Sequence, residues 1–551
     1  MTSSGPADAA HPPRDGAPTG ATPDESSFDL LVVGGGVSGA CIALEAARAG
    51  LRTALVERDD FGAGTSANSL KILHGGLRDL RRLAPKAVRS GAREQAAWAR
   101  FAPHLVEPLP FLLPTYRAPA QSRLALRAAL AFAGLLSPVA ERDRPGPWAI
   151  LGREDARALV PDLPGAITGG ALWYEGQMYS AERLVLEVVQ RAMAAGAVVA
   201  NHTSVTALLR SRDGEVAGAR TRNGLSGADG EVRARRTVLA TGSTSRRLAG
   251  HLLGRTDGGS GSHSLALNVV LPDMGYRTAF AVRSRPRGGG TRQLLFVPWR
   301  GRTLLGTGHY AWQGDPRSFE RTADPGPLIE EANAAWQGPR VREEDVVLVH
   351  AGLLPLEPAP DASPDRLLRD PEVHDHAADG ARGLISATSV RFSYARLLAR
   401  RTVARVLRSL SGGDHGGRGG DRGDRTEPAS SMEEIRAAAR EAAPEVEDDV
   451  REHLVRCYGA RVLSAIEGMR GVPDWRRRVI PGEPVIFGQF VRAARHEMAQ
   501  TTADLIWRRT ELGPRGLACD AAEAMAREAL ALAGGRGEVE DGAGRQDDGR
   551  D

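Results

Sequence analysis

An apolar run, Asp29-Leu30-Leu31-Val32-Val33, leads straight into Gly34-Gly35-Gly36-Val37-Ser38-Gly39. A helix-like segment follows to Gly50, and a second apolar run ends in Glu57. Each of three glycines has a physical reason in this pattern. Gly34 permits the tight turn out of the strand, Gly36 lets the backbone approach a pyrophosphate, and Gly39 lets the helix pack closely on the sheet. The helix start offers free N–H groups and a partial positive charge to phosphates. Glu57, about 20 residues on, can accept from ribose hydroxyls. Strand, helix, second strand and terminal acid in this order define a β-α-β dinucleotide site, and a parallel α/β sheet with it. A glycine-rich turn in some other α/β unit is the plain alternative.

At 551 residues the chain has room for two or three domains around large cores. A formal charge of +4 is small for that length and gives no case for nucleic acid as a partner. The three cysteines, Cys41, Cys457 and Cys519, lie far apart without metal-ligand spacing, so neither a metal centre nor a disulfide framework is expected. A reducing cytoplasm suits that pattern, and Cys41 reads as a buried thiol in the first helix. Residues 1–27 are rich in Pro, Ala, Gly and Asp with no apolar core, which predicts a disordered leader. No stretch reaches the roughly 20 apolar residues that span a bilayer. Leu124–Ala140, with Arg117, Arg123 and Arg127, reads either as an ordinary surface helix or as a basic amphipathic helix for a membrane surface.

Further along, Leu184–Ala195 reads as a helix, and Val205–Arg210 with Val216–Arg220 as a hairpin around Asp213-Gly214. Thr237–Gly242 is a short apolar strand ending in small residues, placed to return to the nucleotide sheet. Strand-like runs at Leu265–Leu271, Ala279–Val282, Gln293–Pro298, Thr303–Gly308 and Val346–His350 predict an antiparallel sheet. Gly383–Thr388 reads as a last strand and Tyr394–Leu407 as a helix. The expected fold is therefore α/β: a discontinuous, Rossmann-like, two-domain dinucleotide-binding protein with an antiparallel substrate sheet and a C-terminal helical domain. The nucleotide parts fall at about 28–115, 180–260 and 380–410, and the substrate sheet at about 262–360. A Gly/Asp/Arg/Ser linker covers 411–431, and helical spacing (Ile435, Ala439, Ala442; Val450, Leu454, Tyr458) marks 432–533. Residues 534–551 form a charged, glycine-rich tail.

The block Thr65-Ser66-Ala67-Asn68-Ser69-Leu70-Lys71-Ile72-Leu73-His74-Gly75-Gly76-Leu77-Arg78 narrows the cofactor. Together with the glycine turn it resembles the FAD-dependent glycerol-3-phosphate dehydrogenases. The resemblance continues through Ala102-Pro103-His104-Leu105, Phe296-Val297-Pro298-Trp299, Gly306-Thr307 and Gly314-Asp315-Pro316, and ends in His496–Thr510. It implies FAD as cofactor, with Gly34, Gly36, Gly39, Glu57, Thr65, Ser66, Ser69, His74, Gly75, Gly76, Thr241 and Gly242 around it. It also implies oxidation of the secondary alcohol of sn-glycerol 3-phosphate to dihydroxyacetone phosphate. Hydride would pass to flavin N5 and electrons onward to a quinone or other acceptor, with a candidate peripheral contact at the inner face of the cell membrane.

A base must take the hydroxyl proton, and histidine titrates in the right range. His74, His263 and His309 are the candidates, with His263 first and His74 better suited to shaping the flavin loop. Arg78, Arg369, His309 and Arg391 are the expected substrate contacts, the arginines for a phosphate dianion. Four departures from the family pattern bear on that substrate. Leu354 stands where an arginine is expected, Val390 where a lysine is, Asp79 where a tyrosine is, and His309 where an acid is. Those changes keep open a second reading, the same flavin chemistry on a different alcohol or an amine. A flavin-binding module without catalysis is a third, and an NAD enzyme fits the Thr65–Arg78 block less well.

Overall fold

Four consecutive residues of the first strand, Leu30 to Val33, are buried, as expected of a parallel strand covered on both faces. The computed structural model describes residues 27–76, 84–137, 139, 146–254, 263–315, 318–319, 323–357, 363–411 and 431–534, and every structural statement concerns these. The expected leader, linker and tail fall almost wholly outside them, as do Arg78, Asp79 and Pro316.

Phe28–Val33 lies between Thr53–Val56 and Asp229–Leu239, both parallel to it. Leu384–Thr388 extends the parallel order from Asp229–Leu239, Val198–Ala200 extends it from Thr53–Val56, and Glu372–Asp375 closes the outer edge antiparallel. The hairpin of Thr203–Arg210 and Val216–Asn223 joins this sheet through the first half of Asp229–Leu239. Helices Val37–Arg48, Ala181–Ala194 and Ala395–Leu410 share one apolar core, in which Ile42, Leu184 and Leu398 are fully buried. Cys41 is buried there too, and burial pushes its thiol up to about 12.

The second sheet has nine strands, more than the sequence reading gave it. His263–Pro272 sits between Arg302–Trp312 and Leu348–Pro355, and Arg292–Trp299 and Ala279–Ser284 continue the order. Beyond them come Val106–Thr115, Gly169–Met178 and Ile72–Leu73. The sequence reading placed Val106–Thr115 within the nucleotide part at about 28–115, and Pro108, Pro110 and Pro114 weaken its strand signal. All three prolines fall at even positions, so their missing N–H groups lie on one side of the strand. Gly169–Met178 pairs with all of Val106–Thr115, whereas Ala279–Ser284 meets it only at Phe111 and Leu112.

The two faces of this sheet differ. Leu265, Leu267 and Val269 pack with the helices Arg153–Leu159 and Gly326–Ala335. Val270, Val297 and Leu304 pack with Leu70 and Ile72 of the Thr65–Arg78 block. That second face is therefore covered in part by this block.

Residues 432–532 supply helices Met432–Ala442, Asp448–Tyr458, Val462–Arg470, Phe487–His496 and Asp520–Leu532, with a π-helical turn at Asp504–Arg509. A reciprocal cap starts the first: Ser431 Oγ accepts from Glu434 N at 3.1 Å, and Glu434 Oε2 from Ser431 N at 2.7 Å. Ile435, Ala439, Val450, Leu454 and Tyr458 are buried at helical spacing, but Ala442 is exposed and Ala443 takes the inward position. Tyr179 packs against both this core and the core of the nucleotide sheet.

Candidate active site

The glycine turn leaves no space for side chains. A Cβ on Gly34, whose φ is +108°, would lie 2.8 Å from the Ala240 carbonyl oxygen, and one on Gly39 would lie 1.8 Å from that of Gly34. Strand, helix and the returning chain at Ala240 thus meet backbone to backbone. The helix Val37–Arg48 has Gly36 as its N-cap and no acidic residue in its first turn. Ser66 Oγ accepts from Val37 N at 3.0 Å, so the Thr65–Gly76 loop supplies the cap that Gly36 lacks. The positive end of the helix keeps no internal carboxylate, which suits a pyrophosphate.

Glu57 accepts from Gly35 N at 2.6 Å through Oε2 and from Asp59 N at 3.0 Å through Oε1. Burial raises its carboxyl above the usual range against both bonds. Each oxygen keeps a lone pair for a ribose hydroxyl. Glycine contacts, a helix end without a carboxylate in its first turn and a strand-end acid together fit the phosphates and ribose of a dinucleotide.

The loop is fixed from below. Thr65 Oγ1 donates to Leu353 O at 3.1 Å, tying it to the second sheet, and Ser69 Oγ accepts from Lys71 N at 3.2 Å. Lys71 adopts φ 59°, an uncommon state for lysine, and is completely buried. Its Nζ donates to Ala67 O at 2.6 Å and to Glu182 Oε1 at 2.8 Å. Burial pulls this ammonium below the ordinary lysine range against the attraction of Glu182.

Glu175 anchors the end of the loop. It accepts from Gly75 N at 2.6 Å, Gln95 Nε2 at 2.8 Å and Trp173 Nε1 at 3.0 Å, and lies 3.9 Å from His74 Nδ1. His74 is partly exposed beside it, with Gly76 at φ +89°. Sequence reasoning missed both Glu175 and Glu182, because a buried acid carries no local signature until its partners are known.

On the far side, Thr241 precedes a 3-10 turn at Gly242–Thr244, where Gly242 has φ +64°. Gly242 O accepts from Ser245 Oγ at 3.0 Å and Thr388 Oγ1 at 3.4 Å. His263 Nε2 bonds to Ser243 O at 3.2 Å, and burial lowers its pKa, favouring the neutral ring. This turn therefore joins the two sheets.

Strand alternation sets His263 opposite to Ser264. Ser264 is fully buried, and its Oγ lies 3.0 Å from His309 Nδ1. Leu354 is the direct cross-strand partner of Ser264 on its other side, and Ala266 partners both His309 and Gly352. Asn268, on the same face, accepts from Thr307 Oγ1 at 2.8 Å and donates to Asn68 O at 3.3 Å. Ser264, His309, Leu354 and Asn268 thus share the face that Thr65, Asn68 and Leu70 approach.

The arginines are not gathered there. Arg369 is exposed in an ion pair with Glu357 at 2.6 Å. Arg391 precedes a 3-10 turn rather than lying on a strand, so alternation does not decide its direction; it donates to Tyr394 Oη at 3.2 Å. Arg78 lies outside the described residues.

The His496–Thr510 segment has a physical role as well. Arg509 Nη2 donates to Asp60 Oδ1 at 3.0 Å, Arg183 Nη1 to Glu497 Oε2 at 2.7 Å, and Asn201 Nδ2 to both Asp60 Oδ1 at 2.8 Å and Met498 O at 2.9 Å. Gln500 Nε2 reaches Asn201 Oδ1 at 2.8 Å, and Arg508 Nη2 reaches Ala63 O at 3.3 Å. The helical region thus closes over Asp60 and Ala63, at the entry to the Thr65–Gly76 loop.

Residues 29–405 match the FAD dependent oxidoreductase family, and the chain belongs to it. Residues 408–538 match the C-terminal domain of alpha-glycerophosphate oxidase. The chain is 28% identical over 511 residues to a glycerol-3-phosphate dehydrogenase of Synechocystis, covering 88% of this chain and 89% of that one. It is 29% identical over 510 residues to a probable mitochondrial glycerol-3-phosphate dehydrogenase of Caenorhabditis elegans, covering 88% and 67%. Among solved structures, the FAD complex of a glycerol-3-phosphate dehydrogenase from Bacillus halodurans aligns with a TM-score of 0.66 at 21% identity, covering 92% and 95%. The protein is thus an FAD-dependent oxidoreductase, taking electrons from a small-molecule donor and passing them to an acceptor.

Proposed function

We propose that the donor is sn-glycerol 3-phosphate, oxidised at its secondary alcohol to dihydroxyacetone phosphate. One observation carries this reading: the likeness to the Synechocystis dehydrogenase runs through both the flavin part and the helical region. FAD supplies the hydride acceptor when bound. Gly34, Gly36, Gly39 and the first turn of Val37–Arg48 would hold its pyrophosphate, Glu57 would take the ribose, and Thr65–Gly76 with Thr241-Gly242 would contact the flavin part. His309, steadied by Ser264, takes the hydroxyl proton at its ring nitrogen. That departs from the sequence preference for His263, whose Nε2 is committed to Ser243 O. Arg78 and Arg391 are the proposed phosphate partners, and the exposed pair with Glu357 makes Arg369 a weaker one.

Leu354 favours the second reading, a less phosphate-like alcohol or an amine, because it places an apolar side chain beside Ser264. Anaerobic bleaching of the flavin decides. Reduction by glycerol 3-phosphate supports the first reading, and reduction only by other alcohols or amines supports the second.

For the acceptor we propose a quinone met at an anionic membrane surface on the cytoplasmic side. No helix among the described residues is long and apolar enough to cross a membrane. Helix Arg123–Leu136 nevertheless leaves Leu124 at 78%, Phe132 at 48% and Leu135 at 84% exposure, with Arg123 and Arg127 beside them. Apolar side chains flanked by arginines suit an anionic lipid interface. Leu124→Glu/Leu135→Glu should abolish sedimentation with anionic vesicles while leaving flavin bleaching unchanged; undiminished sedimentation removes the helix from that role.

A further inference from the structure

We propose that His374, His376 and Asp379 form a binding site for one borderline divalent cation of the zinc class, at the outer edge of the nucleotide sheet. Glu372–Asp375 is that edge strand, and a 3-10 turn at His376–Asp379 ends on Gly380 at φ 77°. The turn folds Asp379 back so that two imidazoles converge on one of its oxygens. His374 Nε2 lies 2.9 Å and His376 Nδ1 2.8 Å from Asp379 Oδ2. The three ligand atoms lie within 4.8 Å of one another. A tetrahedral zinc centre has bonds of about 2.0–2.2 Å to nitrogen and carboxylate oxygen, so small side-chain rotations suffice to admit the ion. Two nitrogens and one carboxylate leave a fourth position for water.

The surroundings are those of a metal ligand set. Buried His376 bonds through Nε2 to Ser386 Oγ at 2.8 Å, which orients the ring with Nδ1 toward Asp379. Asp375, between the two histidines, is turned away: its Oδ1 accepts from Ala377 N at 2.9 Å and its Oδ2 from Arg405 Nη2 at 2.9 Å. Two other His/acid clusters are different. Glu511, near His453 and Cys457, pairs with Arg300 at 2.7 Å, and Asp60, near His202 and Asp504, pairs with Arg509. An arginine already supplies the cation in both. At Asp379 the partners are two imidazoles, whose ring nitrogens are of the kind that ligate zinc.

Ser386 partners His374 across the edge pair, and Leu384–Thr388 ends on Thr388, which bonds Gly242. A cation here would brace the edge strand and its turn without touching the reacting centre.

The test uses untagged, FAD-loaded protein and zinc alone, competed against a chromophoric chelator at about pH 8. The expected result is one zinc per chain and an unfolding midpoint that rises with the logarithm of free zinc. His374→Ala/Asp379→Asn should abolish both with the flavin spectrum intact. If that double variant does not retain flavin, the exposed His374→Gln decides, with an expected loss in affinity of at least about tenfold. Absence of zinc binding to the wild type, or uptake unaltered in the variant that retains flavin, overturns the site.

Discussion

Arg509 and Asp60, 449 positions apart, form a buried ion pair, with Arg509 Nη2 donating to Asp60 Oδ1 at 3.0 Å. Asp60 follows the second strand of the nucleotide fold, while Arg509 belongs to the π-helical turn of the C-terminal region. Their side chains are 3% and 1% exposed, so neither charge can turn to water. Removing one partner strands the other, at a cost of about 3–5 kcal/mol. Arg509→Leu should therefore lower the thermal midpoint by several degrees and release FAD, read as loss of the flavin absorbance on gel filtration. Asp60→Asn in the same chain removes the stranded charge and should recover part of the midpoint. A single variant as stable as wild type would show that the pair does not hold the loop.

The glycine turn makes a sharper prediction. A methyl at position 39 would occupy the place of the Gly34 carbonyl oxygen, only 1.8 Å from the ideal Cβ. Gly39→Ala must shift the helix start proposed to hold the pyrophosphate. Protein that folds, judged by circular dichroism, should purify colourless and resist reconstitution with FAD. Gly196→Ala, where a Cβ meets nothing within 4 Å, serves as the control. Its positive φ gives it some strain, but its flavin content should be unchanged.

His202 and Asp504 join the nucleotide part to the helical region through a bond of 2.9 Å. Burial disfavours the charged imidazole, but Asp504 outweighs it and raises the His202 pKa above its usual value. A raised pKa contributes stability that is complete below about pH 6.5 and fades as pH climbs through the native value. Asp504 is held low, despite burial, by the same bond, and its share is lost only in acid. The thermal midpoint should decline from about pH 6.5 upward, and His202→Gln should flatten that part of the profile. An unchanged slope in the variant would assign the decline to another group.

Much of this architecture was legible because it rests on local rules. The Asp29–Glu57 unit depends on glycine geometry and strand length, and Leu265–Leu271 and its neighbours on β-rich runs between turns. What escaped was set by distant partners. Val106–Thr115 hides its strand behind three prolines, tolerated because its full-length neighbour lies on one side only. Glu175 and Lys71 look like surface residues in the sequence, yet one gathers three donors and the other pairs with Glu182 in the core. The His496–Thr510 segment could be matched to a family but not explained, since Asp60 and Asn201, which receive it, lie some 300 to 450 positions earlier.

The two histidines of the second sheet separate by kinetics. His309 reaches Ser264 on the face approached by the flavin loop, whereas His263 bonds Ser243 O. A positioned general base accounts for roughly 10²–10⁴ in rate. With glycerol 3-phosphate in anaerobic stopped flow, His309→Asn should slow flavin reduction by that factor while FAD stays bound. Ser264→Ala, which only loosens the ring, should cost less and respond to pH as the wild type does. His263→Asn should stay within about tenfold of wild type, because losing one hydrogen bond to a carbonyl moves the Gly242–Thr244 turn without removing the base. The opposite ranking returns the proton to His263, and equal, small effects in both assign it to neither.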